Sequence, residues 1–114
     1  MQLEQFLTKL KTAPESVEFE DTMANIEANY DYQASAFTNG SAENSAEQNQ
    51  GSCKLLAFAK LQGLSAEQTL ACFGRYYRDD VLGNPDGDDH QNIRQFMING
   101  WDGVSFAATP LTAK

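Results

Sequence analysis

Between residues 53 and 61 the chain places Cys53, Leu55, Leu56, Phe58, Ala59 and Leu61, a run that is apolar on nearly every side when wound as a helix. Such a helix is stable only when other elements surround it, so the remaining sequence has to wrap this segment. With 114 residues the chain has room for one such core and too little for two of ordinary size. The expected organisation is therefore a single domain over residues 1–114, mainly α, with four or five helices and up to two short strands; a small α+β arrangement is the alternative.

The wrapping elements can be read from their periods. Leu3, Phe6, Leu7 and Leu10 share one face of a first helix over residues 1–12, and Pro14 stops it. Phe19, Met23, Ile26 and Tyr30 recur at helical spacing and give a second helix. Residues 30–40 lose that period and end in Asn39 and Gly40, a turn pair, so a short strand or ordered loop fits there. Residues 41–52 contain no large apolar side chain and read as a polar loop.

After the central helix, which Gly63 closes, Ser65 and Gln68 have the spacing of a capping box. Ala66, Leu70, Phe73 and Tyr77 then continue one helical face, with Arg75 and Arg78 placed to suit the end of the helix dipole. The run from Gly83 to Gly87 is a turn, and Asp88 or Asp89 is placed to cap a last helix carrying Ile93, Phe96 and Met97 that ends at Gly100. Residues 107–114 read as a flexible tail.

Charge narrows the function classes. Sixteen acidic against eight basic residues give a net charge of −8, which repels phosphate backbones and anionic lipid, so neither nucleic acid nor membrane is an expected partner. The early apolar residues are interrupted by Glu4, Lys9 and Lys11, and neither a secretory signal nor a membrane span is read there. Cys53 and Cys72 are expected as free thiols, and one histidine without a C-x-x-C pair gives no zinc site. No cofactor or phosphate-binding fingerprint is present.

The blocks Phe19–Met23, Phe37–Gly40, Gly51–Lys54, Phe73–Tyr77, Pro85–Arg94 and Gly100–Trp101 follow one another in an order that resembles the HopJ type III effector family, across the stretch from Phe19 to Phe106. The resemblance implies a bacterial protein, made in the cytoplasm and exported through a type III secretion system. It implies no catalytic reaction and assigns no residue a role.

Three chemistries remain to be weighed on the residues themselves. Cys53 with His90 as base and Asn92 as orienting group could form a thiol hydrolase, provided the three meet in space. Asp86 and Asp88 invite a calcium reading, but Leu82 and Ile93 occupy the first and twelfth positions of an EF-hand register, where carboxylates are needed. The reading preferred from sequence is a patch for a protein partner, formed by Asp86, Asp88, Asp89, His90, Asn92 and Arg94 together with Tyr76 and Trp101.

Overall fold

In the computed structural model, which describes residues 3–114, the central helix is realised as α3, Gln50–Gln62. Cys53, Leu55, Leu56, Phe58 and Ala59 are fully buried on it, and Gly63 ends it in a left-handed conformation (φ 66°). Leu61 departs from the expectation: it is 55% exposed, so α3 is covered on most of its circumference but not all.

Around it pack α1 (Leu3–Thr12) and α2 (Phe19–Asn29), joined by a short 3-10 turn at Pro14–Ser16. Met1 and Gln2, assigned from sequence to the first helix, lie outside the described residues. Phe6 of α1 meets Phe58 edge-on at 5.7 Å, and Tyr30 at the end of α2 meets the same ring at 5.8 Å, so Phe58 is the hub on which both helices rest.

α4 runs from Ala66 to Ala71 behind the expected capping box of Ser65 and Gln68. It stops short of Tyr77 because Gly74 turns left-handed (φ 64°), and a π-helical segment, Tyr76–Val81, follows. Any side chain at Gly74 meets the backbone nitrogen of Phe19 at 2.6 Å, so glycine here serves both the turn and a close approach to α2. Arg75 and Arg78 face not the helix end but the start of α2: Arg78 donates to the Val17 carbonyl at 2.7 Å and to Glu18, and Arg75 bridges Glu18 and Glu20.

α5 (Gln91–Asn99) buries Ile93 and Phe96, and a 3-10 turn, Gly100–Gly103, carries the chain onward. The expected aspartate cap is not used. His90 occupies the N-cap position, Asp89 turns back to Arg94, and Asp88 offers its backbone carbonyl to Gln91.

Two strands at most were expected; five are present among the described residues. β1 (Tyr30–Tyr32) pairs antiparallel with β5 (Leu111–Ala113), and β2 (Phe37–Asn39) lies between β3 (Ala42–Asn44) and β4 (Val104–Phe106). Two expectations are corrected by this. The polar loop 41–52 contains β3 and the first turn of α3, and the tail 107–114 contains β5, with Leu111 2% exposed. The arrangement is a compact α+β one that remains mainly helical, as expected, with more strands than expected. No helix among the described residues is long and apolar enough to cross a membrane.

Candidate functional site

The β2–β3 hairpin sits against the start of α5, and what joins them is amide chemistry rather than apolar packing. Asn39 of β2, fully buried, donates to the Asn92 backbone carbonyl at 2.7 Å and to its Oδ1 at 3.2 Å. Asn92 and Asn44 of β3 exchange side-chain hydrogen bonds at 3.2 and 3.3 Å, and Asn49, just before α3, donates to Asn44 Oδ1 at 2.7 Å. Four carboxamides from four separate segments thus form one connected network, which fixes the relative positions of the segments without any net charge.

This network is one wall of an open cleft of about 650 Å³. Asn44, Gln48 and Asn49 line that side, and Gly51 and Ser52 bring in the first turn of α3. Aromatic rings line it as well: Phe19 stacks on Phe73 at 6.4 Å and meets Tyr76 edge-on at 5.5 Å. Gly51 packs closely here: a Cβ at this position comes to 3.0 Å from the Phe19 ring, which would have to shift slightly to admit it.

His90 also lines the cleft. Its imidazole lies 5.6 Å from the Tyr76 ring, and its Nε2 is 3.2 Å from Asp80 Oδ2 and 3.9 Å from Asp89 Oδ2. Its backbone is left-handed (φ 49°), as is that of Asn49 (φ 51°), and among the described residues these are the two positions other than glycine with positive φ. Both are N-cap residues, and neither α3 nor α5 has a side-chain cap.

The patch expected from sequence therefore separates into parts. Tyr76, His90 and Asn92 come together in the cleft. Asp89 and Arg94 form a clamp outside it: Arg94 donates to Asp89 Oδ1 and to the Asp89 carbonyl at 2.6 Å each, and to the Pro85 carbonyl at 3.3 Å. The hydrogen bond from Arg94 holds the Asp89 carboxyl below its usual range. Trp101 is not a cleft residue; its Nε1 donates to the Leu64 carbonyl at 3.1 Å and its ring abuts Phe96.

Asp86 and Asp88 stay exposed on the turn, and among the described residues no three acidic, thiol or imidazole groups converge as a metal ion requires. Phe19, Asn44, Asn49, Gly51 and Phe73 are cleft residues that the sequence reading did not single out.

Cys53 is buried behind the cleft, its Sγ directed at the Ser35 carbonyl 3.8 Å away, while the His90 imidazole is engaged by Asp80. Burial pushes the Cys53 thiol up to about 11 and that of Cys72 up to about 12. The pairing of Cys53 with His90 is not formed, because α3 turns Cys53 into the core. A thiol with its pKa raised from 9.0 to about 11 has roughly 100-fold less thiolate at neutral pH. Iodoacetamide at pH 7 is accordingly expected to leave both cysteines unmodified in the folded protein and to label both in denaturant, with no change on His90→Ala. Rapid labelling of Cys53 that is lost with His90 restores the thiol-enzyme reading.

A search of curated proteins returned no match. Among solved structures, the crystal structure of VPA0580, described as a protein of unknown function, is 57% identical, with a TM-score of 0.98 over all of this chain and 95% of the other. The family model described as HopJ type III effector protein matches residues 3–111, nearly the whole length. The chain belongs to the HopJ type III effector family.

Proposed function

We propose that this HopJ-family protein acts by binding a protein partner through the cleft between Tyr76, His90 and Asn92, and not by chemistry within it. The observation that carries the reading is the placement of Asn49 and His90. A side chain in the left-handed region costs on the order of 1 kcal/mol, and such cost persists where a surrounding site has a use for the conformation. Here both positions of that kind border one cleft, at the entrances of α3 and α5, where first-turn N–H groups lack side-chain caps. Amides and aromatic faces around them offer hydrogen bonds and stacking to a polar polypeptide segment. The net charge of −8 favours partners that are neutral or cationic.

Family membership supports the location: synthesis in the bacterial cytoplasm followed by export through a type III secretion system.

His90→Gly tests the cleft. Glycine adopts the same backbone without strain, which offsets the loss of the Tyr76 and Asp80 contacts, so stability is expected to change by less than about 1 kcal/mol. Partner capture by a photo-crosslinking residue at Gln48 should nonetheless fall several-fold in that variant. Gln48 borders the cleft, whereas Glu27 is exposed on α2 and serves as control. If Gln48 and Glu27 capture the same proteins to the same extent, or if His90→Gly leaves capture from Gln48 unchanged, the cleft is not the contact surface.

A further inference from the structure

α5 buries Ile93 and Phe96 but turns Met97 and Ile98 outward, where they are 43% and 74% exposed. Leu82, 48% exposed, stands beside them just past the π-helical segment, and all three border a groove of about 370 Å³ that Val81 and Pro85 also line. Tyr32 and Leu61 are the other large apolar side chains exposed among the described residues. Single exposed apolar residues are ordinary; three of five gathered in one groove are the composition of an interaction surface.

The surroundings of the groove are acidic. Asp79, Asp80, Asp86, Asp88 and Asp89 are all exposed on the segment that passes along it. Asp80 is engaged by His90 and Asp89 by Arg94, whereas Asp79, Asp86 and Asp88 have no ion pair among the described residues. Arg94, the cation nearest the groove in sequence and one of its lining residues, is 9% exposed and already committed to Asp89. What faces outward is an apolar centre with uncompensated negative charge at its margin.

We propose that this groove docks a cationic amphipathic helix of another protein. Its apolar stripe would lie on Leu82, Met97 and Ile98, and its Lys and Arg flanks over Asp79, Asp86 and Asp88. Charge selects this occupant. A second copy of the chain brings the same aspartates and a net charge of −8 into opposition, and an anionic lipid surface is repelled in the same way. Met97, unbranched and adaptable, suits a helix whose side chains vary. The groove and the cleft share Gln91 alone among their lining residues, so this surface stands apart from the reading of the cleft.

The probe is a Leu/Lys amphipathic helical peptide of about 18 residues, roughly 27 Å long. It is titrated into isotopically labelled full-length protein beside a Leu/Glu version and a scrambled Leu/Lys version. Shifts are expected to centre on the Leu82, Met97 and Ile98 methyl groups, with affinity falling about tenfold in Met97→Gln/Ile98→Gln. Asp79→Asn/Asp86→Asn/Asp88→Asn, or salt raised to about 0.3 M, should weaken binding several-fold. All five positions are exposed, so the variants keep the fold. Shifts centred elsewhere, no binding, equal binding of the Leu/Glu or scrambled peptide, or a concentration-dependent dimer abolished by Ile98→Gln each overturn the proposal.

Discussion

Deleting residues 110–114 is expected to lower unfolding stability by about 3–5 kcal/mol, a large part of the total for a domain of this length. The segment looks dispensable in sequence, yet it supplies one strand of a sheet. Tyr30 pairs with Ala113, Asp31 with Thr112 and Tyr32 with Leu111, and the Pro110 carbonyl accepts from Gln33 N–H at 2.8 Å. Leu111 is 2% exposed, and removing a buried leucine alone costs about 2–4 kcal/mol once the cavity is counted. Loss of the ladder frees β1 as well, since β5 is its partner in the two-stranded sheet. Guanidinium unfolding of the deletion variant beside Leu111→Ala separates the two contributions. The midpoint should fall in both, further in the deletion; a loss below about 0.5 kcal/mol means that the tail frays in solution.

That tail shows where sequence reading reached its limit. The segments that became α1, α2 and α3 announce themselves by apolar residues at helical spacing, and Ser65, Gly63 and Gly100 mark ends because capping is a local matter. The strands are three residues each and carry one or two apolar side chains, too few for an alternating pattern to stand out. Their pairing is also non-local: Phe37 opposes Phe106, and Tyr30 opposes Ala113. Nothing near Leu111 in sequence says that β1 waits for it.

The cleft divides along the same line. Tyr76, His90 and Asn92 belong to a stretch dense in polar and aromatic groups and could be picked out together. Phe19, Asn44, Asn49 and Gly51 come from an amphipathic helix and a run without large apolar residues, where the usual signal for importance is absent. An asparagine in such a run reads as solvated. Only the fold reveals that Asn39, Asn44 and Asn92 are buried and bonded to one another.

Asn92→Leu is expected to cost about 3 kcal/mol, and its outcome bears on function as well as stability. Leucine matches the volume but cannot make the three side-chain hydrogen bonds to Asn39 and Asn44. Each such bond contributes on the order of 1 kcal/mol, and a buried amide left without a partner adds to the loss. The cost has a ceiling, because Asn39 still reaches the Asn92 backbone carbonyl and Asn44 Oδ1 still accepts from Asn49. Hydrogen exchange should quicken in β2, β3 and the first turn of α5 while α1 and α3 keep their protection, since the bonds lost with the Asn92 side chain run only to β2 and β3 and the bond from Asn49 to Asn44 stays. His90→Gly beside it is expected to be nearly neutral, so the pair distinguishes the group that builds the cleft from the group that uses it. If Asn92→Leu proves neutral too, the amide is not needed to hold the hairpin on α5, and its place in the cleft then points to direct contact with the partner.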